Sequence, residues 1–103
     1  MFAFTRQIQI ATDFAKGTTA RLAGTEVPSY ADDEASFAAL RQRIAKTLSF
    51  VQTFKPADIN GSEDRDITLK LRGDEVRFKG QPYLLHFALP NFYFHAATAD
   101  RQA

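Results

Sequence analysis

The sequence predicts an all-α bundle with a β-hairpin placed before its last helix. Three observations predict it. Apolar residues recur at helical spacing over about 4–23, 33–54 and 82–97. They alternate with polar ones over about 66–79, the period of a strand. A chain of 103 residues with 45% hydrophobic content makes one domain, here 1–103, with a small core.

The first helix is set by Phe4, Ile8, Ala11, Phe14, Ala15, Thr18 and Leu22, which share one face of a helical wheel. Gln7 falls on that face, and Gln9 and Asp13 fall opposite. Gly24 suits the residue just past the helix end, with Arg21 in the last turn against the dipole. The helix begins at the very start of the chain, which suggests a missing upstream piece or a helix that simply frays.

Val27-Pro28 is read as extended linker, because a residue before proline avoids the α region. Capping candidates for the second helix lie between Ser29 and Asp33, with Glu34 adding negative charge to the first turn. Phe37, Leu40, Ile44, Leu48, Val51 and Phe54 then alternate steps of three and four, a coiled-coil-like stripe. Arg41, Arg43, Lys46 and Gln52 lie off it. Pro56 ends the helix, a short turn can follow at Pro56–Ile59, and Asn60-Gly61 breaks it.

In the hairpin, a two-residue Gly73-Asp74 turn of type II′ would pair Leu71 with Val76 and Leu69 with Phe78. Such a hairpin is marginal alone and must lie against the helices. The third helix is expected to start near Gln81, with Pro82 at the first helical position. Its main apolar face is Leu85, Ala88, Leu89, Phe92, Ala96 and Ala99. Pro90 has no N–H for the carbonyl of His86, so a kink or bulge is expected there. Beyond His95 the residues are small and polar, and the end is expected to fray.

Composition excludes several functions. Thirteen basic against twelve acidic residues leave +1, too little for a nucleic-acid field. Without cysteine there is no disulfide, thiolate metal site or thiol nucleophile. No apolar run spans a bilayer and no secretory signal opens the chain, so a soluble cytoplasmic protein is expected. There is no phosphate loop and no nucleophile elbow. Glu63-Asp64-Arg65-Asp66 reads as a solvated turn, and Arg72-Gly73-Asp74 as a hairpin tip.

The segments Gln7 to Gly17, Arg21 to Gly24 and above all Ala88-Leu89-Pro90-Asn91-Phe92-Tyr93-Phe94-His95 resemble an uncharacterised DUF family. That family sits in the DinB/YfiT-like superfamily of proposed metalloenzymes. The hairpin and the end of the second helix resemble it too. The resemblance implies a four-helix bundle with a long connection before the last helix. The helices here would be its second, third and fourth, giving a DinB/YfiT-like bundle reduced to three helices and apparently truncated at both ends. The uncovered face would invite self-association through the place of the absent helix.

The resemblance also implies a metal site of three histidines, two of them spaced i, i+4 on the last helix, where both rings share a face. The matching pair here is Asn91 and His95, and asparagine is a poor transition-metal ligand. The inward polar residue of the first helix is Gln7, which, with Tyr93, is the candidate pocket lining. A buried His95 bonded to a carbonyl or to Gln7 is the plainer expectation. His86 lies about half a turn around from His95 and cannot share an ion with it. Tyr83, Phe87, Tyr93 and Phe94 lie opposite the main apolar face and are expected to pack on the hairpin or the absent helix. No cofactor is expected, beyond a weakly held divalent metal at His95 and Asn91. Function is read as a structural or interaction module with a degenerate metal site. The alternative is a divergent metal-dependent transferase or hydrolase that uses His95.

Overall fold

The structure, a computed structural model, describes residues 2–102. Its elements in order are α1 (Phe2–Ala23), α2 (Phe37–Gln52), the single turn α3 (Pro56–Ile59), a 3-10 turn (Ser62–Asp64), β1 (Asp66–Leu71) and β2 (Asp74–Lys79). A last helix closes the chain. It consists of α4 (Gly80–Tyr83), a π segment (Leu84–Ala88) and α5 (Leu89–Gln102). The fold is mostly helical with a small two-stranded hairpin, as the periodicities predict. Among the described residues no helix is long and apolar enough to cross a membrane.

The long helix α1 is the centre of the molecule, with α2 and α5 both packed against it. It ends as Gly24 implies. Gly24 has φ +74°, its N–H donates to Arg21 O at 3.1 Å, and Thr25 N–H donates to Ala20 O at 2.9 Å. This pair of bonds caps the last carbonyls. Because α1 has neighbours on two sides, it buries more than its apolar face. Gln9, Thr12 and Lys16 are buried on the side that the wheel gives to water.

Helix α2 starts at Phe37, later than expected. Its cap is Ser36, whose hydroxyl accepts from Ala39 N–H at 3.1 Å. Asp32, Asp33 and Glu34 therefore stay in the linker. The face of α2 that meets α1 is Leu40, Arg43 and Thr47, all buried. The coiled-coil-like stripe looks elsewhere: Phe37 is 62% and Leu48 54% exposed.

The hairpin differs from the expected register by two residues. Leu71 pairs with Asp74, Leu69 with Val76 and Ile67 with Phe78. The turn is Arg72-Gly73, and both residues have positive φ, +52° and +85°. That is the type I′ pattern, whose twist matches the strands better than type I or II turns. A slip of two keeps the same side chains on the same face. So Ile67, Leu69 and Phe78 still point inward, onto a core of Leu22, Tyr83 and Ala88.

The expected irregularity in the last helix is a π segment one turn before Pro90. Leu89 N–H reaches back five residues to Leu84 O. The wider turn rotates the residues before it relative to those after it. Leu85, assigned to the apolar face, is thereby swung out and is 48% exposed. Tyr83 is fully buried instead, and Phe87 packs beside it with ring centroids 6.0 Å apart. Helix α5 continues past Ala96 to Gln102, and Ala99 is buried.

Candidate functional site

His95 stands at the end of a row of rings. Tyr83 meets Phe87, Phe87 meets Phe14 at 5.8 Å, and Phe14 stacks on His95 at 6.0 Å with planes 16° apart. His95 Nδ1 lies 2.6 Å from Gln7 Oε1, which joins α5 to α1. A carbonyl oxygen can only accept, so the ring proton sits on Nδ1 and Nε2 keeps its lone pair. Partial burial, then the positive charge of Arg6, hold the imidazole pKa below its usual value. The ring is therefore neutral at neutral pH.

The other residues singled out from the sequence do not gather round it. Asn91 donates its side-chain N–H to Phe87 O at 2.7 Å, so its amide is tied to the helix backbone. Tyr93, grouped with Gln7 as pocket lining, is 65% exposed and its ring abuts Phe92. Phe94 is likewise exposed, so of the four aromatics expected to pack away only Tyr83 and Phe87 do. The residues present do not fit a three-histidine metal centre. His95 is the lone strong donor, Asn91 is committed to backbone, and the Gln7 oxygen is taken by His95. Among the described residues no group of three His, Cys, Asp or Glu side chains is arranged to hold a metal ion.

A second cluster was not foreseen. Arg43, placed off the apolar stripe, is buried between α1, α2 and the linker. Its Nε donates to Thr12 Oγ1 at 2.7 Å, Nη2 to Asp13 Oδ1 at 2.7 Å and Nη1 to Asp32 Oδ1 at 2.9 Å. Nη1 also meets Glu34 at 3.3 Å and Ala31 O at 3.2 Å. Burial opposes the guanidinium charge, but Asp13, Glu34 and Asp32 outweigh it and raise its pKa. Burial likewise opposes the Glu34 charge. Hydrogen bonds from Gln9 and Arg43 outweigh it and lower that pKa. Tyr30 completes the clasp, with Lys16 Nζ 3.6 Å and Lys46 Nζ 4.1 Å from its ring centroid. The signal was present in the sequence: Arg43 lies three residues after Leu40 and four before Thr47, with an acidic linker to neutralise it.

The third feature is a groove. Helices α2 and α5 stand apart on α1 and leave a trough between them. Two depressions of about 410 and 560 Å³ share Ala15 and Phe92 and so run together. The first is walled by Ile8, Ile44, Leu48 and Ala99, the second by Leu22, Val51, Phe54 and Leu89. The stripe Ile44, Leu48, Val51 and Phe54 thus faces a space rather than a neighbour.

Comparison with known proteins bears on this geometry. The family model described as a domain of unknown function, DUF1993, matches residues 1–100. A crystal structure of a DinB family member protein from Shewanella denitrificans is similar, with 37% identity and a TM-score of 0.82. The likeness covers 93% of this chain and 55% of that one, so the chain spans about half the length of that relative. No protein of curated function matches.

Proposed function

Because the chain belongs to the DUF1993 family and shares its fold with a DinB family member, we propose that it serves as a helical interaction module with a degenerate metal site. The function lies in the trough between α2 and α5, which seats an apolar helix. One observation carries this reading. The most regular apolar stripe of the chain, from Ile44 to Phe54, lines an open trough, with Leu48 54% exposed. Contiguous exposed apolar surface is a mark of interaction sites. An apolar groove suits a helix that presents residues at i, i+3, i+4 and i+7. Backbone NMR with a leucine-rich amphipathic peptide tests the reading. Shifts should concentrate on Ile8, Ala15, Ile44, Leu48 and Phe92. Shifts confined to the surroundings of His95, or none at a concentration where the chain is monomeric, would overturn it.

A second reading, an enzyme that uses His95 as general base, is favoured by one detail. Gln7 fixes the tautomer that leaves Nε2 unprotonated, and Nε2 has no protein partner among the described residues. That arrangement is what proton abstraction needs. Nitrogen-15 shifts of the ring test it, since an Nε2–H tautomer would remove the base.

A further inference from the structure

The trough admits a specific occupant, and we propose that it is a second copy of this chain, paired two-fold through α2. This rests on the reading of the trough as a helix seat. It starts from the shape of α2. One side, Leu40, Arg43 and Thr47, is committed to α1. The other side exposes Phe37, Ile44 and Leu48, with the small residues Ala38, Ala45 and Ser49 exposed beside them. Large residues next to small ones at heptad spacing let a second helix approach closely.

That face is self-complementary. The midpoint of Phe37–Gln52 falls between Ile44 and Ala45. An antiparallel pair of α2 helices sets Ile44 and Ala45 at the two-fold axis, as an isologous contact requires. Each α2 then enters the trough of the other copy, beside its α5. In this arrangement Arg41 of one copy lies opposite Leu48 of the other.

Charge agrees with the placement. Helix α2 has Arg41, Arg43 and Lys46 and no acidic residue. Arg43 is neutralised within the subunit and Lys46 lies over Tyr30. Arg41 has no ion-pair partner among the described residues. Neither has Asp100, the acid of α5 that lines the trough near Ile44 and Leu48. The paired arrangement brings Arg41 of each copy to Asp100 of the other. Sixteen residues of α2 make a helix about 24 Å long, which the trough of the other copy receives along its length.

Sedimentation velocity of the untagged chain, from about 1 to 200 µM, tests the proposal. The expected mass is twice the 11.5 kDa chain mass. Ala45→Arg, at the axis and exposed, should weaken association at least tenfold with helicity by circular dichroism unchanged. Asp100→Arg and Arg41→Asp should each weaken it, and the double charge swap should restore it. A monomer at every concentration overturns the proposal, and so does a dimer indifferent to both Ala45→Arg and the swap. If the chain is monomeric yet the leucine-rich peptide shifts the trough resonances, the second copy fails and the helix seat stands. If neither occurs, both fail.

Discussion

Replacing Arg43 with Met keeps the aliphatic stem and removes the guanidinium. Breaking a buried ion pair from one side costs about 3–5 kcal/mol, because a charge is left without its partner. The geometry places this case near the lower limit. Asp13 keeps Lys16 at 3.2 Å, Asp32 keeps Arg6 at 3.7 Å, and Glu34 keeps Gln9 at 3.0 Å. Asp13 and Asp32 are also 44% and 46% exposed, so water reaches them, whereas Glu34 is 10% exposed and carries most of the penalty. The expected loss is about 3 kcal/mol, or a fall in Tm of roughly 12–20 °C for a domain of this size. Arg43→Lys should lose less, about 1–2 kcal/mol, since an ammonium keeps the charge but cannot span Thr12, Asp13 and Asp32 together. Urea unfolding followed by circular dichroism at 222 nm measures both. A loss under about 0.5 kcal/mol for Arg43→Met would refute the claim that this residue joins the linker and α2 to α1.

Further outcomes follow from other sites. Arg72→Asn should stabilise the chain by about 0.5 kcal/mol in the same assay, because Asn-Gly fits a type I′ turn and arginine at φ +52° does not. Gly80→Ala should cost at least about 2 kcal/mol, since a Cβ there overlaps the carbonyl oxygen of Ser62, backbone that cannot swing aside. The His95 ring should titrate below its usual pKa by proton NMR. The unfolded chain then binds the proton more readily, so the group's stabilisation is full above about 6.5 and is lost as pH falls through the folded value. For Glu34, also lowered, the stabilisation is present above about 4.5 and lost as pH falls below it. Acid unfolding should therefore begin earlier in wild type than in Glu34→Gln when each is referred to its own stability at pH 7.

Local patterns in the sequence were the most legible part. Gly24 closes α1 through hydrogen bonds that the glycine signals, and Pro90 marks an irregular helix. Alternation places Ile67, Leu69 and Phe78 on one face. What escaped was set by tertiary context. The hairpin register turned on Arg72 accepting a left-handed conformation that favours glycine or asparagine, so the Gly73-Asp74 turn was the natural reading. The π segment moved Leu85 out and Tyr83 in, because one widened turn rotates a wheel drawn at constant pitch. Arg43 lies off the apolar stripe, where wheel arguments place charges in water. Its acidic partners come from α1 and the linker, which periodicity cannot place beside it. For the candidate site, the Gln7 and His95 pair could be read from inward-facing polar positions, and the geometry joins them at 2.6 Å. Tyr93 could not be assigned in this way, since two residues along a helix point in nearly opposite directions. The α2 stripe was recognised as apolar, but not that it would border a trough. That depends on how far α5 stands from α2.

The most direct test asks whether the trough or the histidine carries the binding. An environment-sensitive apolar dye should be titrated into wild type, His95→Ala and Leu48→Glu at a concentration where each is monomeric, with each variant first checked for native helicity. The account predicts that His95→Ala binds as wild type does, while Leu48→Glu, which places a charge on the exposed wall of the trough, loses at least tenfold in affinity. Binding that survives Leu48→Glu and disappears with His95→Ala would contradict it.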